Sequence, residues 1–441
     1  MGLGWRRRKG NGNKKKLNLQ ATREELEIEI PKHFLCPISL ELMKDPVTLS
    51  SGMTYDRESV ETWLEAGNFT CPVTNLTLQS FDQIPNHTLR EMIQEWCMQN
   101  QKYGIQRMPT PRVPVVPIEV SEILFAVAAS ARRLDLFGCL ESVRKIQNWG
   151  YESERNRRCI VANGAVDVLS AAFDVFSKDS YTKNVLVCEE ILSALNWMFP
   201  IGKEASKYLG SEASLNCMVW LLKGNDLPFS AKKNSIMVLE ELLSCDQAHV
   251  EALAKIKGVP EILIDFIIKN ISPMITKASL MLIFHLISSP STKQIKSKFM
   301  DMDLVSLVLE ILVESEKGIS EKALRVFDGV CGYKTGREKA YGNALTIPVL
   351  VKKLLRVSNG ATESSVSSIW KLCKFAKNEE ERVLVEALQV GAFQKLLLII
   401  QVGCGDETKE KATELLKLLN PYRPQLECIE SVDFKSLQRS F

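Results

Sequence analysis

The chain has 441 residues, enough for about three average domains, with 45% hydrophobic and 25% charged residues, an ordinary balance for a globular protein. Its net charge of +3 is local: Arg6, Arg7, Arg8, Lys9, Lys14, Lys15 and Lys16 carry +7, leaving the remainder at −4, so a nucleic-acid partner is disfavoured. The twelve cysteines are scattered with no Cys-x-x-Cys pair, which argues against a disulfide framework and for a reducing setting inside the cell.

Residues 1–27 read as a disordered basic tail, because four glycines and two basic clusters in its first sixteen residues offer too little apolar surface to order it. Nuclear import and an anchor on anionic lipid compete there with a plain solvated tail. The expected location is cytoplasmic, with the nucleus and the plasma-membrane surface left open by the tail. Myristoylation at Gly2 is rejected, since Arg6 stands where that pattern needs Ser or Thr.

Two Cys-Pro turns follow, FLCPISLEL at 34–42 and TCPVT at 70–74, about 35 residues apart with a helical segment between them. A cross-braced RING-like module has this layout and usually holds zinc in paired loops. Here Cys36 is followed three positions on by Ser39 and Cys71 by Thr74, and hydroxyls are poor zinc ligands. His33, His87, His249 and His285 show no metal-ligand spacing either, so no metal is expected. Pro46-Val47-Thr48-Leu49 and Met53-Thr54-Tyr55 flank Ser50-Ser51-Gly52 as a short hairpin. Asp56 is placed to cap a helix whose apolar stripe is Val60, Trp63 and Leu64, and Gly67 sits where it stops. A second helix starts after Pro85-Asn86 with Leu89, Met92, Ile93 and Trp96 as its buried face.

Residues 31–102 closely resemble the U-box, the zinc-free relative of the RING finger found in ubiquitin ligases. The domain is drawn at 28–104. The resemblance implies that hydrogen bonds and ion pairs replace the metal, with Ser39, Asp45, Asp56, Arg57 and Thr74 as members and Cys36, Pro37, Pro46, Gly52, Tyr55 and Cys71 as structural residues. It also implies a shallow apolar groove for a ubiquitin-conjugating enzyme, formed by Ile38 and Leu40 on the first turn, Trp63 on the helix, and Pro72 and Val73 on the second. Leu40 and Trp63 have core packing as the alternative. Asn75 occupies the position from which family members brace ubiquitin, often with Arg; Asn is shorter and uncharged. The implied mechanism is proximity and orientation, with no covalent intermediate and no catalytic nucleophile. Cys36 and Cys71 read as structural thiols, since His33 is the sole nearby base in sequence.

Pro109, Pro111, Pro114 and Pro117 mark an extended linker over 105–118. From 119 to 420 the pattern is helical and repetitive. Motifs like Gly258-Val259-Pro260-Glu261-Ile262-Leu263 recur, and second helices end near Leu195, Leu243, Ile287, Val330, Cys373 and Leu419, spaced 48, 44, 43, 43 and 46 residues apart. That period, about 40 to 47, resembles armadillo repeats, an α-solenoid whose last helices line a groove. Lys232, Lys233, Lys277, Lys322, Lys409 and Lys411 suggest an acidic or phosphorylated partner there, against a solvated face. Residues 421–441 form a mixed tail. The longest uncharged run, 278–292, is shorter than a membrane span of about 20 residues.

The fold class is therefore mostly α, a small zinc-free α+β U-box followed by an armadillo solenoid. In that order the parts resemble the plant U-box and armadillo ubiquitin ligases. The resemblance implies a ubiquitin transferase without cofactors whose partners are a conjugating enzyme, ubiquitin and a protein substrate, and it suggests stress or defence signalling. A homodimer stays open. The competing reading is a non-enzymatic armadillo scaffold with an inactive U-box.

Overall fold

The computed structural model describes residues 30–103, 105, 115–180, 182–224, 226–377 and 381–423. The basic tail, Pro109, Pro111 and Pro114 of the linker, and 424–441 lie outside the described residues. The chain forms two compact units, Met1–Val113 and Pro114–Phe441.

In the first unit, β1 (Pro46–Thr48) and β2 (Thr54–Asp56) form the expected antiparallel hairpin, with Val47 opposite Tyr55. Gly52 closes it at φ +76°, a conformation that a β-carbon disfavours. A third strand, β3 (Ile84–Pro85), pairs with β1 on its other side, giving the order β2-β1-β3. Two residues, one a proline, leave no alternating pattern by which sequence could announce a strand. Helix α1 (Arg57–Glu65) ends before Gly67 at φ +82°, and α2 (His87–Gln99) is capped by Asn86, whose Oδ1 accepts from the Leu89 N–H at 3.0 Å.

Eleven apolar side chains are buried here, among them Phe34, Met43, Val47, Tyr55, Val60 and Ile93. One expectation for α2 fails: Met92 is 46% exposed, and Cys97 fills the buried stripe with Ile93 while Leu89 and Trp96 pack at its rim. The stripe runs through Leu89, Ile93, Trp96 and Cys97, so Cys97 takes the place expected for Met92.

The second unit begins earlier than the linker reading allowed. Pro117 is the first residue of α3 (Pro117–Arg133), where its missing N–H is no loss, and it is not the end of an extended segment. Helix α4 (Leu136–Glu152) follows after an Asp135 cap on the Gly138 N–H, 3.1 Å. Six helix triplets then succeed one another among the described residues: α5 (Glu154–Ala162), α6 (Ala165–Ser180) and α7 (Val185–Leu195); α8 (Lys203–Leu209), α9 (Glu212–Lys223) and α10 (Phe229–Cys245); α11 (Gln247–Ala254), α12 (Val259–Lys269) and α13 (Pro273–Ser288). The last three are α14 (Lys293–Asp301), α15 (Leu304–Glu314) and α16 (Lys317–Cys331); α17 (Lys334–Gly342), α18 (Thr346–Lys353) and α19 (Asn359–Phe375); α20 (Arg382–Gln389), α21 (Ala392–Val402) and α22 (Asp406–Leu419).

All six repeat endings read from the sequence fall on the third helix of a triplet. Those third helices pack in series, α7 on α10 and so on to α22, and α4 packs on α7 at the start of the row. One hydrophobic core runs the length of the solenoid, with Phe173, Phe176, Phe299 and Phe327 fully buried in it. Each triplet is one structural unit that completes its core against its neighbours.

Candidate functional site

The two Cys-Pro segments fold into the same turn. The Leu40 N–H donates to the Cys36 carbonyl and the Asn75 N–H to the Cys71 carbonyl, each at 2.8 Å. The Cys36 N–H donates to the Glu41 carbonyl and the Cys71 N–H to the Leu76 carbonyl, again at 2.8 Å. Outside them, Leu35 bridges Leu42 and Thr70 bridges Thr77. Even the hydroxyls correspond: Ser39 Oγ accepts from the Glu41 N–H at 3.4 Å and Thr74 Oγ1 from the Leu76 N–H at 3.5 Å. Ser39 and Thr74 therefore shape their own turns and do not link one turn to the other.

Each turn closes through a left-handed residue, Leu40 at φ 60° and Asn75 at φ 57°. That conformation costs a residue with a β-carbon about 1–2 kcal/mol, and asparagine tolerates it better than leucine. Asn75 thus has a backbone reason to be where it is, and it is exposed. Leu40 has none, and it is 74% exposed.

Three consecutive residues brace both turns. The Asp56 N–H donates to Cys36 Sγ at 3.3 Å, while Asp56 Oδ1 accepts from the Lys44 and Asp45 N–H groups at 2.7 and 2.8 Å. Asp56 does stand at the N-cap position of α1, but its carboxylate makes no cap bond there, because two amides of the first turn's outgoing arm occupy it. Tyr55 Oη shares a hydrogen bond with Cys71 Sγ at 3.0 Å and accepts from the Val73 N–H at 3.3 Å. Arg57 Nε donates to Asp45 Oδ2 at 2.6 Å, and its guanidinium also reaches Gln83 Oε1 at 3.2 Å. From α1, the Trp63 indole N–H donates to the Thr70 carbonyl at 2.8 Å, fixing the helix against the second turn. Among the described residues no group of three or more His, Cys, Asp or Glu is placed to hold a metal ion.

Both thiols are fully buried. Burial pushes the Cys71 thiol up, but the Tyr55 hydroxyl at 3.0 Å and the Thr74 N–H at 3.5 Å, with the Ser51 and Thr74 hydroxyls close by, favour the thiolate and bring it down to about 6. For Cys36 burial likewise opposes ionisation, and the backbone N–H groups of Ser39, Asp56 and Ile38 overcome it, so its pKa also falls below the ordinary thiol value. These sulfurs accept hydrogen bonds where a zinc-bound thiolate would accept a metal. With no solvent access and no histidine among their hydrogen-bond partners, neither is built to attack a thioester.

The braced turns present an apolar edge. Leu40 at 74%, Leu76 at 65% and Val73 at 48% exposure project most, Pro37 is exposed, and Ile38, Pro72 and Trp63 are half-buried. Pro46 is buried at the start of β1. The equivalence of the turns breaks one step outward. Phe34, before the first turn, is buried edge-on against Trp96 of α2 at 6.1 Å, whereas its counterpart Phe69 is 59% exposed and lies tilted against Phe81 at 5.6 Å.

In the second unit, side chains join successive third helices. Gln147 donates to the Glu190 carbonyl, Asn196 to Asn234 Oδ1, Lys371 to Asp328 Oδ1 and Lys411 to Ser367 Oγ. The lysines expected to favour an acidic partner are in part already matched: Lys277 pairs with Glu316, Lys322 with Glu321 and Lys411 with Glu407. Those three charges are matched within the solenoid, while Lys232, Lys233 and Lys409 show no ion pair among the described residues.

Comparison with known proteins agrees with both units. Residues 30–102 match the family described as U-box domain, and residues 119–439 match the plant U-box protein ARM repeat region, well over half of the chain. The chain belongs to the plant U-box ubiquitin ligase family with armadillo repeats. U-box domain-containing protein 21 of Arabidopsis thaliana is 45% identical over the full length of both chains. The E3 ubiquitin-protein ligase PUB23 of the same plant is 34% identical across 89% of this chain and 93% of its own. A designed armadillo repeat protein aligns with 53% of this chain and 93% of its own at 18% identity and a TM-score of 0.45. In this U-box, what sequence reading missed is the role of Tyr55 and of the two sulfurs as acceptors. The spacing of 35 shows that the two turns correspond, but nothing in it marks Tyr55 or the sulfurs as what braces them.

Proposed function

We propose that this U-box ligase docks a ubiquitin-charged conjugating enzyme on the edge formed by Ile38, Leu40, Trp63, Pro72 and Val73, and holds a protein substrate on the row of third helices. The observation that carries this reading is Leu40. A leucine held in the left-handed region and 74% exposed costs stability twice, in backbone strain and in apolar exposure, and a surface contact made by that side chain is a reason to keep it. Rigid turns suit such a contact, since little ordering entropy remains to be lost on binding. Catalysis then lies in holding the thioester of the bound enzyme near a substrate lysine, with Asn75, exposed at the end of the second turn, as the side chain available to brace ubiquitin.

The test is self-ubiquitination in a purified mixture of activating enzyme, several conjugating enzymes, ubiquitin and ATP, comparing wild type with Ile38→Ala and Pro72→Ala. Ladders from wild type that vanish in variants with unchanged circular dichroism support the reading. No ladder with any conjugating enzyme, from folded protein, would leave an armadillo scaffold in its place.

A further inference from the structure

Away from the row of third helices, lysines from three consecutive triplets converge. Lys223 ends α9, Lys255 and Lys257 lie between α11 and α12, and Lys293 and Lys298 belong to α14. Two adjoining cavities of about 740 and 550 Å³ meet here and share Lys255, Ile256 and Lys257 in their linings. In the larger, Lys255, Lys257, Lys293 and Lys298 face one lining carboxylate, Glu251, which already accepts from the Ser291 hydroxyl at 2.7 Å. The smaller adds Lys223 and Glu212. Lys298 is paired with Glu261 just outside.

One of these ammonium groups is held in place by the backbone. Lys223 Nζ donates to the Lys257 carbonyl at 2.8 Å and lies against Gly258. Gly258 has φ +89°, a conformation that favours glycine, and a β-carbon there would stand 2.9 Å from Nζ and displace the ammonium group. The side-chain ammonium groups of Lys255, Lys257 and Lys293 show no hydrogen bond or ion pair within the described residues. The contrast is with Lys277, Lys371, Lys374 and Lys411 on the third helices, each of which has a carboxylate. Lysines outnumber carboxylates in both linings, and the excess positive charge repels itself, a repulsion that an anion with several acceptor oxygens relieves.

We propose that this lysine-lined cleft binds clustered phosphate esters of the size of an inositol polyphosphate. A volume of about 740 Å³ lies inside the range of about 300–1,000 Å³ usual for small-molecule sites. Lysine ammonium groups bind phosphate as point charges, and clustering three unpaired ones matches several phosphates on one ring better than a lone carboxylate. The ligand is either the free compound or the same group carried on a lipid, and the chemistry of recognition is shared.

The experiment uses the full chain and titrates inositol hexakisphosphate by calorimetry at fixed salt. Wild type is compared with the triple variant Lys255→Gln, Lys257→Gln, Lys293→Gln and with a control triple, Lys178→Gln, Lys207→Gln, Lys269→Gln, whose lysines are paired on exposed helix surfaces. The basic residues at 6–16 are present in all three forms, so their contribution cancels. Loss of charge-assisted hydrogen bonds should weaken binding about tenfold or more in the cleft variant, with the control within about twofold of wild type. Co-sedimentation with phosphatidylcholine vesicles, with and without a phosphatidylinositol phosphate, separates the sources. Lysine-dependent vesicle binding assigns the lipid headgroup, and binding of the soluble compound alone assigns the free ligand. Equal weakening in both triples, or no saturable binding of either probe, overturns the proposal.

Discussion

The U-box and the solenoid solve the same problem with different materials. The solenoid buries one continuous apolar core from α3 through all six triplets, with Ser, Thr and Asn side chains among the buried residues. The U-box has eleven buried apolar residues and holds its two turns through a polar brace at Tyr55, Asp56 and Arg57. A domain of that size rarely stands on its core alone. The contrast shows where each region is vulnerable: the solenoid to cavities, the U-box to the loss of single hydrogen-bond partners.

The largest expected effect is on the solenoid. Phe327→Ala should cost about 3–5 kcal/mol in denaturant unfolding, the usual result of emptying a buried aromatic site, and it should leave the hydrogen-exchange protection of Lys44 and Asp45 unchanged. Asp56→Ala should do the reverse, exposing those two amides and destabilising the U-box by about 1.5–3 kcal/mol, the range for hydrogen bonds to a charged group. Equal disturbance of both regions by either variant would break the comparison.

Tyr55→Phe removes one hydroxyl that serves both Cys71 and Val73, and should cost about 1 kcal/mol while raising exchange at the Val73 amide. The same brace has a pH signature. Because Cys71 is depressed in the folded state to about 6, its contribution is present in full above the unfolded thiol value and is lost as pH falls through 6. Protection of residues 69–78 should therefore rise from pH 6 to pH 9 in wild type and lose that rise in Cys71→Ser.

The smallest effect on stability sharpens the functional half of the comparison. Leu40→Asn copies the residue at the equivalent point of the other turn and should stabilise the U-box by up to about 1 kcal/mol through relief of left-handed strain. It should also weaken conjugating-enzyme binding, so that stability and activity move in opposite directions.

Much of this was legible in the sequence because it repeats. A period near 44 residues placed all six third helices, and the two Cys-Pro turns located the U-box and its apolar edge. What escaped depended on geometry that no local pattern encodes. Asp56 precedes a helix as a cap should, yet its carboxylate turns back to amides eleven and twelve residues earlier. The thiols of Cys36 and Cys71 gave no sign in sequence that they accept hydrogen bonds in place of binding metal. Met92 looked like core by residue type and is not, because the periodic stripe passes through Cys97. Lys277 pairs with Glu316 at the start of the next triplet's third helix, a contact no local pattern shows, whereas the pairs Lys322–Glu321 and Lys411–Glu407 lie within one helix.

The most direct test of the central claim is titration of unlabelled conjugating enzyme into isotope-labelled U-box ligase, followed by backbone and indole NMR signals. The account predicts shifts concentrated at 36–41, at 71–76 and at the Trp63 indole, weakened by Leu40→Asn and Ile38→Ala while the Asp56-bound amides of Lys44 and Asp45 stay protected. Binding that leaves both turns unperturbed, or that persists at wild-type strength in both variants, would contradict it.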